Sequence, residues 1–224
     1  MPPLEITDPK EGLRVVPLVK SDREGVLAFL YRDFRRFEPH TRFLDVSKAE
    51  AKVLFEGIVD DCLQYPISCA MKKDGTIVGV CLNTYLTRPK EGEEEEPFKC
   101  DNAKANLIVD LLDAVRSQLW EQLPKTIEKL VDISIISVDS SYGRRGIGIA
   151  LVEALDDNQL RMDGVQGLVS ELTNMKSQQL MTTKLGFRKI YEIKHVDWKD
   201  EKGRQIFDCS KFNTDRVVLA FKPL

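Results

Sequence analysis

The stretch from Ile133 to Leu155, ISIISVDSSYGRRGIGIALVEAL, constrains this chain more than any other. The run Asp132 to Val138 is rich in Ile and Val and short enough for a buried strand. At the far end Ile147, Leu151 and Leu155 fall at helical spacing. Between the two lies a turn holding Gly143, Gly146 and Gly148. A strand that passes into a helix through such a turn leaves backbone N–H groups without partners, at a dipole end worth roughly half a positive charge. Glycine lets a ligand approach that backbone closely. Arg144 and Arg145 add two charged donors. The stretch therefore reads as a phosphate cradle. A Walker loop would need a Lys-Ser or Lys-Thr pair after the glycines, and none follows. A dinucleotide-binding turn belongs near the first strand of a βαβ unit, whereas this one lies past the middle of the chain.

The rest of the chain suits one large domain. It has 224 residues, of which 42% are hydrophobic and 31% charged, and no internal repeat divides it. A net charge of −3 gives no reason to expect nucleic acid as a partner. No apolar run approaches the roughly 20 residues of a membrane span. MPPLEITDPKEG at the start lacks the basic and apolar regions of a secretory signal. A cytoplasmic protein with no membrane partner is expected. The five cysteines, at 62, 69, 81, 100 and 209, are odd in number and form no C-x-x-C pair, which predicts reduced thiols. With His40 and His195 far apart in sequence and no clustered Cys, no metal site is expected.

Periodicity and turn chemistry lay out an α/β order. After an extended lead-in over 1–11, Leu13 to Val19 alternates as a strand. A helix from Glu24 to Phe37 follows, with Pro39 expected to stop it. A second helix spans Ser47 to Leu63, opened by a Ser47/Glu50 capping box. Ile67 to Lys72 and Thr76 to Leu86 form a hairpin around Asp74-Gly75. The acidic run Glu93 to Glu96 belongs to a solvated loop over 88–101. A helix from Asn102 to Gln122 precedes the glycine-turn unit. Gln166 to Leu172 is the next strand, Met175 to Leu185 a short helix ended by Gly186, and Phe187 to Val196 and Arg216 to Phe221 are the last strands.

The turn Gly143-Arg144-Arg145-Gly146-Ile147-Gly148 resembles motif A of the GCN5-related N-acetyltransferases, [QR]-x-x-G-x-[GA], with Gly143 in the place of Arg or Gln. Thr173 to Met181 followed by Lys184-Leu185-Gly186-Phe187 resembles motif B, with one residue more before the Lys-Leu-Gly-Phe and without the tyrosine that serves many relatives as general acid. Phe37-Glu38-Pro39 and the tail Tyr191 to Asp200 with Gly203 and Ile206-Phe207 are similar to the invertebrate arylalkylamine N-acetyltransferases, including the dopamine N-acetyltransferases. The likeness runs over nearly the whole chain. It implies a mixed, twisted sheet of about seven strands flanked by helices, with strands four and five splayed around acetyl-CoA. It also implies a monomer that acetylates small arylalkylamines and needs no metal. The alternatives are an acyltransferase acting on polyamines, lysine side chains or another acyl-CoA, and a CoA-binding regulatory module without turnover.

The resemblance also assigns roles. The diphosphate of CoA falls to Gly143, Arg144, Arg145, Gly146, Ile147, Gly148, Ile149 and Ala150, and the pantetheine arm to the backbone of Ile136, Ser137 and Val138, with the Val138 N–H as oxyanion donor. Glu38 takes the place of the catalytic base. An alkylammonium has a pKa of about 10, so deprotonation at pH 7 is a handicap of about 4 kcal/mol that a base must reduce. Partial burial of Glu38 is expected to raise its pKa toward the working range. Thr173 and Ser177, four residues apart at the motif B helix, match loosely two serines proposed as partners in insect relatives, one of them protonating the leaving thiolate. Phe34, Phe37, Phe43 and His40 are candidates to face the amine, and His40 and His195 to relay its proton.

Overall fold

The hydrophobic runs become seven strands: β1 (Leu13–Pro17), β2 (Cys69–Lys73), β3 (Thr76–Thr87), β4 (Lys129–Val138), β5 (Gly167–Leu172), β6 (Arg188–Lys194) and β7 (Arg216–Pro223). They come from a computed structural model that describes residues 7–8, 12–90, 92–93, 99–155 and 157–224. Most of the expected lead-in, and residues 91 and 94–98 of the acidic loop, therefore lie outside the described residues. Thr7–Asp8 adds a two-residue edge beside β1. The order is β1-β2-β3-β4-β5-β7-β6, and only β4 and β5 run parallel. Insertion of β7 between β5 and β6 is a long-range choice that a linear reading of strands does not contain.

Helical segments on the two faces include α1 (Arg23–Phe29), α2 (Pro39–Phe43), α3 (Lys48–Cys62), α4 (Ala103–Arg116), α5 (Leu119–Gln122), α6 (Ile147–Glu153), α7 (Asp157–Met162) and α8 (Met175–Gln179). Leu27, Phe55 and Leu111, from α1, α3 and α4, join one core with Leu82, Val169 and Leu219 of the sheet. Ile147, Leu151 and Met181 join a second core with Val131, Ile133 and Leu168. The domain thus has a buried layer on each face of the sheet.

The helical run from Arg23 passes through a π turn at Leu30–Phe34 and ends at Phe37, before Pro39, as expected; Pro39 then opens α2 as its first residue, a position where a missing N–H costs nothing. The helix expected from Asn102 to Gln122 is two pieces, interrupted at Ser117 and Gln118. The additional residue of the motif B segment also finds its place: Leu180–Lys184 forms a π turn, which accommodates an extra residue within a helix. Ser47 and Glu50 form the expected capping box, with bonds of 3.2 and 2.7 Å.

Strands β4 and β5 pair only at Leu130–Gly167, Val131–Leu168 and Asp132–Val169. Beyond those residues β4 runs on to Val138 and β5 to Leu172 without further backbone pairing, the Ser170 hydroxyl still reaching Ile133 O at 2.8 Å, so the sheet opens into a fork. Gly167 sets the closed end. A Cβ there would sit 2.4 Å from a ring carbon of Phe221 and 2.9 Å from the carbonyl oxygen of Lys222. Gly167→Ala is expected to destabilise the fold by about 1–3 kcal/mol through overpacking, read as a lower midpoint in urea unfolding with an unchanged slope.

Candidate active site

The glycine turn is built as the sequence suggests. Asp139 caps a short turn over Ser140–Tyr142 by accepting from the Ser141 N–H at 2.8 Å. Gly146 then adopts φ 77°, a left-handed conformation in which glycine avoids the usual penalty, and α6 begins. The first helical bond is Ala150 N–H to Gly146 O at 3.0 Å. The N–H groups of Gly146, Ile147, Gly148 and Ile149 precede it, and none has a partner within the protein among the described residues. Arg144 and Arg145 are exposed beside them. Gly148 matters for packing too, since a Cβ there would lie 2.9 Å from Leu180 Cδ2. Gly143 has an ordinary φ of −58°, so its backbone does not require glycine.

The fork supplies the second half of the site. Asp139 N–H bonds to Val78 O at 2.9 Å, and Val138 lies opposite Gly79. In an antiparallel ladder, bonded and non-bonded positions alternate. Val138 and Ile136 therefore turn their N–H groups away from β3, toward the gap that β5 leaves. Ser137 turns its backbone the other way, into the β3 pairing. Of the three residues expected to meet the pantetheine arm, two present free main chain to the fork.

Glu38 is buried, as expected, but its charge state is the reverse of the expectation. It is the N-cap of α2, and Oε2 accepts from the Thr41 N–H at 2.7 Å while Oε1 lies 3.0 Å from His40 Nδ1. Burial pushes its pKa up, but the neighbouring His40 and the Thr41 N–H outweigh it and hold the carboxyl at about 2. Both oxygens are occupied by residues of its own turn.

The histidines, far apart in sequence, meet in the core. His40 Nε2 is 3.0 Å from His195 Nε2, and the rings cross at 84°. Their exposures are 0% and 1%, and Phe207 packs edge-on against His40. A carboxylate only accepts, so His40 Nδ1 carries hydrogen toward Glu38. Between the two Nε2 atoms one ring donates and the other accepts. His195 Nδ1 is buried and has no hydrogen-bond partner among the described residues. Burial first, and then His40, lower the His195 pKa to about 4, so its ring stays neutral at pH 7. Cys209 Sγ joins this cluster, with one nitrogen of each histidine and the sulfur all within 4.8 Å of one another. These are donor types that bind zinc, a grouping the sequence reading did not foresee. Burial pushes the Cys209 thiol up to about 12, with Glu38 and Asp208 adding to the shift, so it stays protonated and its Sγ lies 3.6 Å from Pro39 O. The 3.0 Å spacing of the two nitrogens is that of a shared proton.

The other expected residues separate. Phe34 packs edge-on against Phe55, and Phe43 packs against Phe207, both as part of the core. Phe37 is 46% exposed and does not join them. His40 is wholly buried, suited to passing a proton rather than to touching an amine. Asn174, not Thr173 or Ser177, caps α8. The Ser177 hydroxyl donates to Asn174 O at 2.8 Å, and the Thr173 carbonyl accepts from the Thr214 hydroxyl at 3.1 Å.

A second charged group was not legible in sequence. Arg116, at the end of α4, donates from Nη2 to Asp132 Oδ2 at 3.0 Å and to Glu171 Oε2 at 2.7 Å. Asp132 is the last β4 residue paired with β5, and Glu171 is two residues beyond the last paired residue of β5.

This fold is shared with solved N-acetyltransferases. No family model matches the sequence. Among solved structures, arylalkylamine N-acetyltransferase 2 from Aedes aegypti aligns with a TM-score of 0.81 at 23% identity, over 94% of this chain and 98% of that one. The Drosophila melanogaster polyamine N-acetyltransferase, an enzyme that catalyses the formation of N-acetylagmatine, aligns at 0.77 and 19% identity, over 95% and 100%. Arabidopsis thaliana Naa50 in complex with the bisubstrate analogue CoA-Ac-MVNAL aligns at 0.51 and 11%, over 95% and 99%.

Proposed function

We propose that this chain transfers the acetyl group of acetyl-CoA to the primary nitrogen of a small amine, with arylalkylamines such as dopamine, serotonin, tyramine and octopamine as the first acceptors. The observation that carries the reading is the row of unpaired N–H groups from Gly146 to Ile149 beside the fork between β4 and β5. The row holds the diphosphate, helped by Arg144 and Arg145. The outward N–H groups of Ile136 and Val138 receive the pantetheine arm, and that of Val138 the thioester oxygen.

The reaction joins the amine nitrogen to the acetyl carbon and breaks the C–S bond. An ammonium enters with three N–H protons and the amide leaves with one, while the thiolate takes up one, so one proton is released overall. The buried line Glu38–His40–His195 suits removal of the first. Proton uptake at His195 Nδ1 lets Nε2 pass its own proton to His40, where the charge rests against the Glu38 carboxylate. Glu38 thus remains essential to the base, as an anchor of charge rather than the atom that meets the amine. The Ser177 hydroxyl, with Thr173 beside it, is the candidate to protonate the thiolate. A second reading, an acceptor with two cationic ends, is favoured by the carboxylates of Asp132 and Glu171.

The test measures acetyl-CoA binding by calorimetry and CoA release over a panel of arylalkylamines, diamines, agmatine and lysine peptides. Turnover of at least one small amine is expected. Acetyl-CoA binding with no turnover on the whole panel would replace this reading with that of a CoA-binding module. Turnover on lysine peptides alone would remove the small-amine acceptor.

A further inference from the structure

We infer that the carboxylates of Asp132 and Glu171 form a subsite for a positively charged nitrogen, an ammonium or guanidinium that the acceptor carries in addition to the nitrogen it acetylates. The inference rests on the acetyltransferase reading and extends its acceptors to dibasic amines.

The geometry is specific. Arg116 engages both carboxylates through a single nitrogen, Nη2, and on one oxygen of each, Asp132 Oδ2 and Glu171 Oε2. Asp132 Oδ1 and Glu171 Oε1 remain buried without a hydrogen-bond partner among the described residues. Their side chains are 4% and 7% exposed. Two buried acceptors left empty beside a satisfied pair are costly, and a ligand that brings N–H donors removes the cost. One guanidinium against two carboxylates leaves a net negative charge when both are ionised, which selects a cation over a hydroxyl donor. The Ser134 hydroxyl donates to Asp132 Oδ2 at 3.1 Å and so does not fill the open positions.

Placement fits a substrate that reaches both groups. Leu219, the β7 partner of Glu171, belongs to the same core as Phe207 and Cys209, which flank the histidines. Leu130, two residues before Asp132 on β4, belongs to that core as well. The carboxylate pair and the histidine line therefore lie on one face of the sheet. Glu171 has β7 on one side and the open fork on the other. Burial raises the pKa of Glu171; Arg116 opposes and Asp132 adds, leaving it at about 7. The groups facing it are Arg116 from α4 and Asp132 with Ser134 from β4. Cys62 of α3 reaches Ser134 at 3.9 Å. An arriving cation favours the ionised form, so it binds more tightly as pH rises through that value.

The experiment compares the full chain with Glu171→Gln, and in parallel with Asp132→Asn, on agmatine, putrescine and the best monoamine of the panel. Expected is an increase of at least tenfold in KM for agmatine and putrescine in Glu171→Gln, with the monoamine KM changed less than twofold. Wild-type KM for agmatine should fall as pH rises from 6 to 8, and the variant should lose that slope. Monoamine turnover, together with the melting temperature, reports that each variant is folded; if Glu171→Gln does not fold, Asp132→Asn carries the same comparison. Equal changes for monoamine and dibasic amine, or none, would overturn the subsite and leave the acetyltransferase reading intact. So would wild-type turnover of monoamines with no turnover of either dibasic amine. No turnover of any amine by the wild type would remove both.

Discussion

Glu38→Gln and His195→Gln are each expected to lower kcat/KM for the amine by at least about a hundredfold, and the double variant to lose no more than the worse of the two. General-base catalysis contributes about 10²–10⁴ in rate, which sets the scale. The non-additivity is the sharper statement. Glu38 is 3.0 Å from His40 Nδ1, and His40 Nε2 is 3.0 Å from His195 Nε2. A line of this kind works only when every link is present, so removing a second link costs nothing further. Steady-state kinetics on the two single variants and the double variant check it, with the KM for acetyl-CoA expected to stay within twofold. Losses that multiply would mean that the residues act separately and that the buried line carries no proton.

The same residues make the fold sensitive to acid, and the sign follows from the two shifts. His195 has a folded pKa of about 4 against an ordinary value of 6.5. The unfolded chain therefore binds more protons between those values, and stability falls as pH drops from about 6.5 to about 4. The full effect is roughly 3 kcal/mol at 1.36 kcal/mol per unit. Glu38 acts in a lower window: its folded pKa of about 2 lies below the ordinary value of 4.5, so the stability it gives is complete above 4.5 and is lost as pH falls toward 2. Urea unfolding at a series of pH values checks both. In His195→Gln the loss between pH 6.5 and 4 should flatten while the lower limb remains. A wild-type stability that is level from pH 7 to 4 would show that His195 is protonated as easily in the fold as out of it.

What could be read from the sequence was what lies close together along it. The Ser47/Glu50 cap, the Asp74-Gly75 hairpin and the glycine turn before Ile147 are local arrangements, fixed by a few neighbouring residues and a turn geometry. The burial of Glu38 was legible from the apolar residues around it. Its charge was not, because that depends on a histidine two residues on and on an N–H of its own helix cap. The pairing of His40 with His195 joins residues 155 positions apart. The meeting of Arg116, Asp132 and Glu171 likewise depends on α4 ending above the point where β4 and β5 separate. No pattern in a single sequence encodes either one. The aromatic candidates misled for the opposite reason: Phe34 and Phe43 carry the signal of a binding ring and of a core residue alike, and the core took both.

The three residue pairs that join β4 to β5 have a mechanical meaning. They are the main seam between two plates, one of strands β1 to β4 and one of β5 to β7, each stitched internally by longer antiparallel ladders. Relative motion of the plates is cheapest at that seam. A molecule wedged into the slot and gripped from both sides acts as a missing strand, so occupancy and rigidity of the whole sheet rise together.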